Sequence, residues 1–194
     1  MSERRLITGL TAAGMAYAIV RYNVFKGVPW EQLPVYVSNK AIAFVGLLLL
    51  GLSRVVVDKG RRKGLGLAGA GFVAVHLLLS LILAGPEYFP SLYTASGQMT
   101  GAAALSMLAG ALGSGALLWL FHSTKVRPVE GQRHRTSLVP GLGRALLFFT
   151  AVHVALIGVR GWFDLPSWPG SLPPITLLSF MIATLLFVMP KVKR

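Results

Sequence analysis

Six stretches of this chain, at about 5–22, 40–57, 64–84, 101–121, 141–160 and 172–190, run for close to twenty residues each with any charge near their ends. A helix rises ~1.5 Å per residue, so about twenty apolar residues cover the ~30 Å hydrocarbon core of a bilayer. The breaks between the stretches carry turn chemistry: Pro29 and Pro34, Gly60, Pro86 and Pro90, Pro128 with Gly131, and a cluster from Pro166 to Pro174. The pattern predicts an all-α polytopic membrane helix bundle of six transmembrane helices, forming a single domain over residues 1–194. No stretch is left over for a soluble domain. The one connection of any length, about 122–140, is polar and basic and is expected to be solvated. Composition agrees: 54% of the chain is hydrophobic and 13% charged, against about 45–50% and ~25% in an average soluble domain.

The formal charge is +13, and its placement matters more than its sum. Lys and Arg in short loops stay on the cytoplasmic side. With the amino terminus inside, that side holds Arg4, Arg5, Arg54, Lys59, Arg61, Arg62, Lys63, Lys125, Arg127, Arg133, Arg135, Arg144, Lys191, Lys193 and Arg194, leaving Arg21, Lys26, Lys40 and Arg160 opposite. Both termini are therefore expected in the cytoplasm, in a multi-pass protein of the cell (inner) membrane. The opposite side collects Trp30, Tyr36, Tyr88, Tyr93, Trp162 and Trp168, which suit a membrane interface. Basic residues spread over every loop of one side are what insertion demands, so the charge speaks for lipid as the partner and against nucleic acid. The start, "MSERRLITGLTAAGMAYA", has the charged beginning, apolar middle and small-residue ending of a secretory signal. The apolar run continues through Ala18, Ile19 and Val20, which favours a retained helix.

Two of the apolar stretches repeat a motif. "GLGLAGAGFVAVHLLL" (64–79) and "GLGRALLFFTAVHVAL" (141–156) share the opening Gly-Leu-Gly and the triplet Ala-Val-His in one register. His76 and His153 each follow their first glycine by twelve residues, roughly 18 Å along a helix. Both helices run in the same direction, so the two imidazoles are expected at one depth near the bilayer centre. An ionisable side chain there is costly and marks a functional site by default. One reading is a neutral pair bonded to carbonyls or hydroxyls such as those of Ser80 and Thr150. The other is a shared metal ligated by His76 and His153.

The chain contains no cysteine, which removes thiolate sites, iron–sulfur clusters and covalent haem attachment. No Asp or Glu lies inside any of the six stretches, whereas zinc or non-haem iron would want further protein ligands. Two facing imidazoles leave four positions of an octahedral metal, which a porphyrin fills. One bis-histidine haem b is the simplest completion. The small residues of "GLGLAGAG" and "GAAALSMLAGALGSGALL" serve close helix packing or room for a flat macrocycle.

Six spans, histidines on the third and fifth, and the basic-to-glycine turn Arg62-Lys63-Gly64 leading into "LGLAGAGFVAVH" together resemble the ferric reductase-like transmembrane family. It includes the membrane part of NADPH oxidases and the haem-binding subunit of the methionine-sulfoxide reductase system. The resemblance implies a haem-binding membrane subunit that moves electrons. Members with two stacked haems carry a second histidine thirteen or fourteen residues along each helix. Here those positions hold Phe89 or Pro90 and Pro166 or Ser167 on one side, and Arg62 or Lys63 and Val139 or Pro140 on the other, so the resemblance carries over to one haem.

His122 and His134 are expected to be solvated. If a second cofactor (flavin, quinone or haem) exists, the cytoplasmic side near His122, with Arg127 and Arg144 as cationic partners for phosphates or propionates, is the place for it. Arg160, seven residues past His153, could meet a propionate or serve as an interfacial anchor.

The chain has neither a dinucleotide fingerprint nor the soluble length to build a nucleotide fold. Electrons would come from a flavoprotein, a quinol or a neighbouring subunit. The expectation is a redox subunit of an oxidoreductase system, rather than a complete enzyme, passing single electrons across the bilayer. The alternative is a structural or assembly subunit of a larger membrane complex without a redox cofactor. A transporter ranks below both, since no charged residue sits at the midplane.

Overall fold

The computed structural model describes residues 2–125 and 133–189 and is all-α, with six long helices and no strand among the described residues. They are α1 (Glu3–Ala18), α2 (Ser38–Val55), α3 (Lys59–Ile82), α4 (Gly101–Lys125), α5 (Arg133–Trp162) and α6 (Ile175–Val188). Five of the helical stretches are long and apolar enough to cross a membrane: Trp30–Val55, Lys59–Ile82, Gly101–Ser123, Gly141–Trp162 and Pro169–Val188. Backbone groups in lipid must be satisfied within the protein, and helices do this segment by segment. Exposed apolar side chains such as Leu78, Leu81, Leu118 and Leu185 clothe the bundle in surface suited to acyl chains. The chain is a multi-pass membrane protein.

The helices alternate in direction. Arg54, ending α2, donates to the carbonyl of Met189 just past α6, whereas Tyr17 and Arg21, closing α1, donate to the carbonyls of Pro173 and Leu172 just before α6. One end of the bundle thus gathers the start of α1 with the end of α6. The same end takes the end of α2 and the start of α3. The opposite end gathers the end of α1, the starts of α2 and α6 and the end of α3, with the π-helical segments Ile19–Phe25 and Leu33–Val37.

Packing depends on small residues, since lipid tails are as apolar as leucine and close backbone contact supplies the attraction. α2 lies along α3, α4 along α5, and α5 along α6. A Cβ on Gly69 would stand 3.0 Å from the Leu50 nitrogen and 3.1 Å from the Gly46 carbonyl, so α2 and α3 meet backbone to backbone there. Gly14 plays the same part against Val45, where a Cβ would come to 2.6 Å. α3 is capped by Asp58, whose carboxylate accepts from the Arg61 amide at 2.7 Å, as an N-cap should.

Three expectations need correction. α3 begins at Lys59 and α5 at Arg133, well before the apolar runs at 64 and 141, because Lys and Arg are good helix formers. Of the connection expected over 122–140, residues 122–125 and 133–140 are helical, and 126–132 lie outside the described residues. The first run, expected as a span over 5–22, is helical as α1 and its π-helical continuation to Phe25. Trp162 is no interfacial anchor: it is buried between α5 and α6, donating to the Thr176 hydroxyl at 3.0 Å and lying 4.9 Å from the Phe180 ring.

Candidate functional site

His76 projects from α3 towards α2. Its Nδ1 lies 2.7 Å from Oδ1 of Asn39, while the Asn39 amide nitrogen donates to the Ser80 hydroxyl at 3.1 Å. Since Asn39 spends its donor on Ser80, its carbonyl oxygen must accept, and His76 carries the proton on Nδ1. Ser80, one turn along α3, stands 3.4 Å from the same ring nitrogen. Asn39 is only 4% exposed, so this three-residue network is fixed inside the bundle.

His153 projects from α5 towards α4 and is held differently. Its Nδ1 is 2.9 Å from the backbone carbonyl of Ser106. A carbonyl can only accept, so the proton again sits on Nδ1. The Ser106 hydroxyl, 1% exposed, lies 3.0 Å from that nitrogen and donates to the His153 carbonyl at 3.0 Å. Gly110, one turn along α4, leaves room for the ring: a Cβ there would stand 3.2 Å from Nδ1 and 3.4 Å from Cε1.

Both imidazoles therefore have the same tautomer, with Nδ1–H committed and Nε2 left as a bare lone pair. Neither Nε2 has a hydrogen-bond partner among the described residues. This is the disposition in which histidine ligates a metal, the second nitrogen being oriented by an outer partner. α3 and α5 share no extensive packing; α3 leans on α2, and α5 leans on α4 and α6.

Along α3 and α5 the two rings lie nearer one end of the helix than the other. His76 is six residues from the end of α3 at Ile82 and seventeen from its start, about 9 Å and 26 Å respectively. His153 is nine residues before Trp162, and Ser106 is five residues into α4. Counted along the helices, the site lies nearer the ends of α3 and α5, because both helices extend past their apolar runs at the basic end.

The partners expected for the histidines are half right. Ser80 belongs to the His76 network, but Thr150 turns back to the Leu146 carbonyl at 2.8 Å and leaves His153 to Ser106. Arg160 is exposed at the histidine end of α5 and forms no ion pair among the described residues. His122 and Arg144 are exposed at the other end, where Arg144 faces Arg54. Arg127 lies outside the described residues, as does the side chain of His134. Asn39, Ser106 and Gly110 were not singled out in the sequence. A lone amide and a lone serine with a glycine four residues later, each in an apolar run, were the available signals.

Among the described residues no three His, Asp or Glu side chains gather into a metal-holding group; the donor set is two imidazoles. An open apolar pocket of about 350 Å³ between α5 and α6, lined by Phe148, Val152, Leu156, Phe180 and Phe187, contains no titratable group. No family model matches the chain, and no curated protein matches it in sequence.

Proposed function

We propose that this chain is a haem b-binding electron-transfer subunit of a membrane oxidoreductase, of the ferric reductase-like kind, with His76 and His153 as the axial ligands of one haem. The observation that carries the proposal is the matched pair of Nδ1-anchored imidazoles with free Nε2 atoms. Two such donors on separate helix pairs suit a metal whose other four positions are filled by a flat macrocycle. Bound there, the haem would supply one-electron oxidation and reduction.

The chain's own part is to hold both rings still, to keep them in the ligating tautomer and to exclude water. Asn39 and Ser80 do this for His76; the Ser106 carbonyl and the gap at Gly110 do it for His153. Arg160, two turns beyond His153, would be a partner for a haem carboxylate. Seventeen residues of α3, roughly 25 Å of helix, separate His76 from the start of that helix. Crossing it calls for a donor that reaches in or a second cofactor near His122 and Arg144, supplied by a flavoprotein, a quinol or a neighbouring subunit. The distribution of Lys and Arg supports an inner-membrane location with that end in the cytoplasm.

The test is a visible spectrum of the purified full-length protein before and after dithionite. The proposal expects a Soret band that shifts on reduction and is lost in both His76→Ala and His153→Ala. A colourless protein from haem-replete cells, or a band that survives both substitutions, would return the chain to a structural role in a larger complex.

A further inference from the structure

A second cluster lies at the histidine end of the bundle but is built from α1, its π-helical continuation and α2. Three cations converge on one phenol ring. The Arg21 guanidinium lies 5.5 Å from the Tyr22 ring centroid, Lys26 Nζ 5.9 Å and Lys40 Nζ 5.2 Å. Lys40 is also 4.3 Å from the Tyr36 ring and 5.1 Å from that of Phe89. Aromatic faces attract a cation without neutralising it, and the three positive charges repel one another across a medium that screens poorly.

The chain supplies no counter-charge. Glu31, Glu87 and Asp164 lie at the same end, yet no carboxylate pairs with any of the three among the described residues. Arg21 is 5% exposed. One of its terminal nitrogens donates to the Leu172 carbonyl, but its Nε is buried without a partner. A buried, charged donor left unmatched is expensive, and an oxyanion is what removes that expense.

The position says which oxyanion. The cluster sits where α1 gives way to its π-helical continuation and where α2 begins, and the segment that carries Arg21 also presents Val20, Val24 and Phe25 as exposed apolar residues. Cations bordered by apolar surface match a phosphate that continues into acyl chains. We infer that Arg21, Lys26 and Lys40 form a binding site for the phosphate of an anionic lipid headgroup, at the end of the bundle that carries the two histidines. This site needs no haem, although Lys40 directly follows Asn39, the partner of His76.

The experiment is native mass spectrometry of the full-length protein, with thermal stability in vesicles of phosphatidylglycerol, in vesicles of phosphatidylcholine, and with inorganic phosphate in detergent. The wild type is expected to retain an anionic phospholipid and to be stabilised more by phosphatidylglycerol than by phosphatidylcholine. R21Q/K40Q should weaken that retention at least tenfold, whereas R61Q/K63Q, at the other end, should leave it unchanged. Should the double variant fail to fold, K40Q alone decides, with a smaller loss expected. Unchanged lipid retention in the substituted protein overturns the inference. So does equal stabilisation by inorganic phosphate alone, which would make the ligand a free anion. If the substitutions reduce haem content while lipid retention holds, the cations serve haem carboxylates and the lipid assignment fails.

Discussion

The two histidines reach the same chemical state by different means. His76 is oriented by side chains, Asn39 across the helix pair and Ser80 on its own helix. His153 is oriented mainly by a backbone carbonyl, that of Ser106, and by the space that Gly110 leaves. The shared outcome, a protonated Nδ1 and a bare Nε2, shows what the site requires; the different routes show where it can be broken. A side-chain network can be removed by one substitution, whereas a carbonyl cannot.

The largest expected effect treats the pair as equal. If each imidazole supplies one axial bond, His76→Ala and His153→Ala should each abolish stable haem binding, read as haem per protein after purification; a variant that keeps its full complement would show that the halves are not equivalent. Next comes Gly110→Val. The added carbon would meet the ring at the nitrogen that must stay bonded, so haem content should fall several-fold. Gly113→Ala should be mild, because its Cβ would make only ordinary contacts, to Phe149 at 3.5 Å and to Leu146 at 3.8 Å. Similar losses in the two would mean that general packing, not the ring, is at stake.

Asn39→Leu then tests the side-chain route. Outer partners of a ligating histidine are typically worth about 10–100-fold in affinity, and a loss in that range is predicted from haem titration of the apoprotein. Ser106→Ala should be gentlest, because the carbonyl at 2.9 Å remains. One net hydrogen bond is worth about 1 kcal/mol, which limits the loss to about fivefold. Were Ser106→Ala as damaging as Asn39→Leu, the contrast between the two anchors would be wrong.

Much of this was legible in the chain. The repeated Ala-Val-His pointed to His76 and His153 because both lie in the same register of similar apolar runs, and the six runs each correspond to a helix. What could not be read was contact across helices. Asn39 faces His76 only because Gly46 and Gly69 let α2 and α3 touch at a particular register, and nothing in either run states that register. Helix starts were misjudged for a related reason: they were placed at Gly64 and Gly141, but α3 and α5 begin at Lys59 and Arg133, where basic residues extend them past the apolar run. The cationic cluster was hidden as well. Arg21, Lys26 and Lys40 read as interfacial residues on separate segments until the π-helical end of α1 brought them around Tyr22.

The central claim is that both free Nε2 atoms bind one iron. Electron paramagnetic resonance of the oxidised, full-length protein tests it most directly: the account predicts a low-spin ferric signal characteristic of two imidazole ligands, absent from either single alanine variant. A high-spin signal in the wild type, or a low-spin signal that persists when His76 or His153 is removed, would contradict it.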